Sequence, residues 1–177
     1  MTRFSKLSSV LQTASLRCSQ NFLVQTFQAT TSASVEELWQ TITNLADVTW
    51  HPILASTNVP QGLVVKPGLI YQAVTRFIPI PIQIFVERVK PQTMLSVRIL
   101  VMPGLEEQIT YQVQSSVCGA SVSYSVTLRG WLSPIVGSFM RPCAAKVALN
   151  LVQAVEKAAL LTIPGDCKPT KHKCWDF

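Results

Sequence analysis

The sequence predicts an α+β protein: a curved antiparallel sheet of about seven strands wrapped around one long C-terminal helix, with two short helices after the first strand. Three observations predict it. Apolar and polar residues alternate with period two through several segments between Asn21 and Trp131. Proline and glycine punctuate those segments at short intervals, as antiparallel turns require. The segment from Pro134 to Leu161 is rich in alanine, leucine and valine, with polar residues at helical spacing.

The first strand is read in "NFLVQTFQATT", with Phe22, Val24, Thr26 and Gln28 on one face and Leu23, Gln25 and Phe27 on the other. In "SASVEELWQTITNL" the period changes. Ser34 stands three residues before Glu37, the spacing of a capping box, and Val35, Leu38, Trp39 and Ile42 form a buried stripe. Asn44 and Asp47 are candidates for the helix end and the following turn.

Strands follow in "PILASTNVP", "GLIYQAVTRFI", "IPIQIFVERV" and "TMLSVRILV", separated by Pro60 to Gly62, Pro67-Gly68, Pro79, Pro81 and Lys90-Pro91. In "EEQITYQVQSSV" the apolar residues are Ile109, Tyr111 and Val113; in "ASVSYSVTLRGW" they are Val122, Tyr124, Val126 and Leu128. One face of each is apolar and the other wet, as in an antiparallel sheet covered on one side. In the last element Lys146, Asn150, Gln153 and Lys157 form a polar stripe, and Val147, Ala148, Leu151, Val152, Val155 and Ala159 occupy the remainder. Pro142 either starts this helix or kinks a longer one that begins at Pro134. Ile163-Pro164-Gly165 stops it.

The 177 residues fit one domain, read as residues 21–162, with an N-terminal extension over 1–20 and a tail over 163–177. Hydrophobic residues make up 48% and charged residues 14%, below the roughly 25% usual for a globular domain, so part of the apolar content is available to line a cavity or an interface. The net charge of +6 is spread along the chain. Without a concentrated basic footprint or a nucleic-acid motif, nucleic-acid binding is excluded from the expected functions. The first 24 residues carry Arg3, Lys6 and Arg17 and no acid, with Phe4, Leu7, Val10 and Leu11 on a loose helical face. They suit an arm touching anionic lipid transiently, or an organellar leader, and lack the apolar run of a secretory signal.

Cys18, Cys118, Cys143, Cys167 and Cys174 are odd in number and widely spaced, which favours a reducing, cytoplasmic setting. Cys167, His172 and Cys174 supply three soft groups where a zinc site wants four, so no metal or other cofactor is expected; a terminal disulfide stays open.

The segments "SASVEELWQTITNLADVTWHPIL", "VVKPGLIYQAV" and "YSVTLRGWLSPIVGSFM" resemble the START-like, or helix-grip, superfamily (SRPBCC), which includes plant pathogenesis-related class 10 and polyketide cyclase/dehydrase-like proteins. The resemblance runs from about Phe22 to Leu161, and Trp39, Trp50 and Pro52 occupy the pattern of a helix, a tryptophan, a short second helix and another tryptophan near a proline. It implies a terminal helix that grips a curved sheet over an apolar ligand cavity. Fold does not choose an activity.

Candidate residues divide accordingly. His51 has the ordinary pKa for proton transfer but no recognisable companion, and reads as the corner between helix and strand. Trp50 packs under that corner or at a cavity rim. Tyr71, Phe77, Phe85, Tyr111 and Tyr124 are candidates for cavity walls, the tyrosines as sparse polar anchors. Trp131, Phe139 and Met140 are candidates for an adaptable gate at the entrance that the resemblance implies.

Arg76 and Arg98 either meet an anionic ligand group or sit on the wet face beside Gln72 and Ser96, the favoured alternative. Glu87, Glu106 and Glu107 read as solvent-facing or turn residues. The leading functional expectation is binding, carriage or sensing of a hydrophobic small molecule without catalysis. The alternatives are a polyketide-type cyclase or dehydratase, and a protein-interaction domain with a vestigial cavity.

Overall fold

The computed structural model describes residues 15–19, 22–77, 79–102, 104–117 and 119–162. They form β1 (Ser15–Ser19), β2 (Phe22–Thr31), α1 (Val35–Thr43), β3 (Leu54–Thr57), β4 (Ile70–Thr75), β5 (Pro81–Lys90), β6 (Met94–Met102), β7 (Leu105–Ser116), β8 (Gly119–Gly130) and α2 (Ser133–Thr162). All eight strands join one antiparallel sheet in the order β1-β2-β8-β7-β6-β5-β4-β3. From β3 to β8 the chain is a meander: residues 58–69 link β3 to β4, and the later connections are short, as antiparallel neighbours allow. β2 returns to pair with β8 along its whole length, from Phe22↔Arg129 to Thr31↔Ala120.

Two local features depart from the sequence reading. Ser15–Ser19, inside the expected N-terminal extension, pair with β2 as an edge strand, from Ser15↔Thr26 to Ser19↔Phe22. The five-residue run "SLRCS" is too short and too polar to announce itself by periodicity. The segment expected to hold a second short helix, around Trp50, is instead a chain of turns closed by Asp47 N–H to Asn44 and His51 N–H to Val48. Its physical reason is Asp47, whose carboxylate accepts from the backbone N–H of Thr49 at 3.0 Å and from the Thr49 hydroxyl at 2.7 Å. Such a side-chain bond competes with a helical ladder, and Pro52 denies the ladder a donor.

Helix α1 forms as its ends dictate. The Ser34 hydroxyl accepts from the Glu37 N–H at 3.2 Å, while the Glu37 carboxylate accepts from the Ser34 N–H at 2.8 Å, completing the capping box. Leu38, Trp39 and Ile42 are buried beneath it.

Helix α2 runs 30 residues with Pro142 inside it, so the longer of the two alternatives holds. Its buried stripe is Ala144, Val147, Ala148, Leu151, Val152 and Val155, and Lys146, Gln153 and Lys157 are exposed. The helix packs chiefly on β2, then on β8 and α1. It therefore covers one half of the concave face and stands away from β4–β6. On the convex face, Arg98 pairs with Glu87 and with Glu106, the latter at 3.1 Å, and the Gln108 amide donates to Glu87 at 2.7 Å.

Candidate functional site

Between α2, the turns after α1 and strands β4–β7 lies a cavity of about 660 Å³. That volume is within the range of small-molecule sites. Its floor is the inward face of the sheet, with Ile82 and Ile84 from β5, Val97 and Ile99 from β6 and Ile109 from β7. Val48, Trp50 and His51 close one end, and Ile135, Val136 and Met140 of α2 form the roof. Phe77, Ile80 and Ile135 line the cavity and are also 57%, 63% and 70% exposed, so they make an apolar rim.

Polar groups in this wall are few. Burial pushes the pKa of His51 down to about 4, helped by the nearby charge of Arg76. Its Nδ1 accepts from the backbone N–H groups of Ile53 at 3.3 Å and Leu54 at 3.2 Å, so the proton of the neutral ring resides on Nε2. The ring thus organises the corner into β3, stacked edge-on against Trp50 at 5.2 Å between centroids. Among the described residues, the buried indole N–H of Trp50 has no hydrogen-bond partner. Burial holds the Tyr71, Tyr111 and Tyr124 hydroxyls firmly protonated.

Glu107 is the residue that sequence reasoning misplaced. Glu106 faces outward to Arg98, as expected, but Glu107 lines the cavity. Burial among apolar neighbours pushes its carboxyl up to about 7. It pairs with Ile99 on β6 and Leu128 on β8, in a cross-strand row that runs Tyr71, Ile84, Ile99, Glu107, Leu128 and Leu23. The signal was present in the alternation of Ile109, Tyr111 and Val113: one more step of two toward the N-terminus is Glu107.

The structure brings together Trp50, Tyr71, Phe77, Tyr111 and Met140, all at the cavity wall. Three other candidates are placed elsewhere. Phe85 points to the outer face of β5, opposite in parity to Ile84 and Val86, and stands beside Ile70 and Arg98. Tyr124 is fully buried behind the wall, its ring 5.1 Å from that of Tyr111 and its hydroxyl without a partner among the described residues. Trp131 lies in the turn after β8, 71% exposed, with its indole beside Gly104. Proximity in sequence to α2 carried its assignment to a gate, and the turn directs it away. Phe139 is in α2, and its side chain falls outside the described residues.

Arg98 is on the wet face and Arg76 is exposed at the end of β4, so neither lines the cavity. Cys167, His172 and Cys174 lie outside the described residues; among those described, no three ligand-type side chains are placed to hold a metal ion and Cys143 is a free thiol. No helix among them is long and apolar enough to cross a membrane.

No family model and no curated protein matches this sequence. Solved structures match it in shape. Ara h 8.0201 superposes with a TM-score of 0.61 at 12% identity, over 77% of this chain and 99% of that one. The protein NE0264 of Nitrosomonas europaea gives 0.62 at 10% identity, over 82% and 99%. DynU16, from the dynemicin biosynthetic locus, gives 0.58 at 16% identity, over 76% of this chain and 48% of that one. The chain has the helix-grip fold, as its sequence resemblance implied.

Proposed function

We propose that the protein binds a hydrophobic small molecule in the cavity under α2, as a carrier or sensor. The observation that carries this reading is a cavity of about 660 Å³ whose floor and roof are predominantly apolar and whose rim is Phe77, Ile80 and Ile135. Empty apolar space of this size costs dispersion contacts, which a ligand would restore. Trp50, Tyr71, Phe77, Tyr111 and Met140 are the proposed contacts. The rim also suits transient contact with a membrane surface during uptake, with Arg76 beside it. The odd, scattered cysteines support a cytoplasmic setting.

Native mass spectrometry of gently purified protein, with extraction of any bound molecule, tests the reading. A stoichiometric apolar adduct is expected. A clean apo mass, together with no uptake of neutral apolar dyes, would remove the carrier and sensor readings and leave a protein-interaction role.

One observation favours a second reading, a cyclase or dehydratase acting on a bound carbonyl compound. A carboxyl that titrates near neutrality inside a cavity is a ready acid or base. Turnover of the extracted molecule, abolished in Glu107→Gln, is the outcome that reading requires.

A further inference from the structure

We infer that the cavity selects a hydrophobic amine, whose apolar body fills the space beneath α2 and whose protonated nitrogen meets the Glu107 carboxyl. The inference deepens the ligand-binding reading and rests on it.

The charge layout of the wall carries the inference. Among the described residues, no lysine or arginine lines the cavity. Arg98 is engaged on the outer face by Glu87 and Glu106, and Arg76 is exposed beyond the end of β4. Asp47, the other acid at the wall, is exposed at its edge and bonded to Thr49. Glu107 alone sets an acidic group on the sheet floor, between Ile99 and Leu128, and among the described residues its carboxyl has neither a hydrogen bond nor an ion pair.

The titratable groups near it, Tyr111 from β7 and Tyr124 from β8, are neutral, as are Tyr71 and His51 elsewhere in the wall, while α2 presents Ile135, Val136 and Met140. Glu107 is half-buried among apolar side chains, so its carboxylate gives up part of its hydration, and an ammonium brought in by the ligand offsets that loss with a charge-assisted hydrogen bond. The apolar flanks strengthen such a bond by excluding water. A fatty acid of the same length would set a second negative charge beside the first. The resulting order of preference is amine over alcohol over carboxylate, the reverse of a site built around an inward arginine.

The test is calorimetric titration of the full chain with decylamine, 1-decanol and decanoate at pH 8, where a carboxyl pushed up to about 7 is ionised. The amine is expected to bind ~10-fold or more tightly than the alcohol, and decanoate more weakly than both. In Glu107→Gln that preference should shrink to ~3-fold or less, because the amide keeps the shape and loses the charge. Equal binding of the three in the wild type, tighter binding of decanoate, or an amine preference that survives in Glu107→Gln would overturn the inference and leave a hydrophobic pocket standing. If none of the three binds and a neutral naphthyl dye also fails, the ligand-binding reading falls with it. The wild-type series needs no variant, so poor folding of Glu107→Gln would not blunt the test.

Discussion

An added Cβ on Gly137 would lie 1.9 Å from Cδ2 of Leu23, so helix α2 meets strand β2 more closely than a side chain allows. The Gln25 amide reinforces the seat by donating to the Gly137 carbonyl at 3.0 Å. Gly137→Ala should therefore overpack the contact and lower stability by about 1–3 kcal/mol. Gly130→Ala should cost more. There the obstacle is the Gly104 carbonyl oxygen, 1.9 Å from the added Cβ, and the backbone has φ of +130°. Urea denaturation compares the two; a neutral Gly130→Ala would contradict the backbone geometry.

His51 and Glu107 should give stability opposite pH slopes. The pKa of His51 falls from 6.5 to about 4 on folding, so the unfolded chain takes up a proton first and stability drops as pH falls through that window. The pKa of Glu107 rises from 4.5 to about 7, so the unfolded chain loses its proton first and stability drops as pH rises through that window. Each contributes up to about 3 kcal/mol across its range, and the two largely cancel between about pH 4.5 and 6.5. Denaturation midpoints of Glu107→Gln should expose the histidine's slope, falling toward acid. A variant whose profile parallels that of the wild type would rule this coupling out.

Arg98→Ala should leave apolar-dye affinity unchanged and alter stability by no more than about 1 kcal/mol, since the residue is half exposed in a convex-face ion pair. A large loss of dye binding would return Arg98 to the ligand site and require a different face for β6.

Val136→Trp places an indole from α2 into the cavity roof. Dye capacity should fall sharply while the circular dichroism spectrum and a cooperative melt persist. Retained capacity would mean that bound molecules lie elsewhere on the surface.

Most of the fold was legible because its signals are local. The capping pair Ser34 and Glu37 sits within one helical turn, and the alternation in β7 and β8 needs only neighbouring residues to be read. Tyr71, Phe77 and Tyr111, read as cavity walls, Trp50, read as packing under the corner or at a rim, and Met140, read as part of a gate, all line the cavity. Phe85 was chosen for being aromatic although its parity with Arg98 across the β5–β6 pair turns it outward. Glu107 was set aside for being charged, although its parity pointed inward. In both cases residue type outweighed periodicity, and periodicity was the better guide.

Amino-acid order by itself determined the strands of the meander, the capped helix, the long terminal helix and the apolar face each turns inward, because these follow from spacing along the chain. Only the tertiary structure decided that a cavity remains and that an acid lies in it. That outcome depends on where α2 comes to rest, and its position is set by contacts such as Gln25 with Gly137, 112 residues apart. Resting on β2 and β8, the helix stands off β4–β6 and leaves between them a cavity in which Glu107 is half-buried among apolar side chains. Desolvation is a property of that enclosure, and no local pattern carries it.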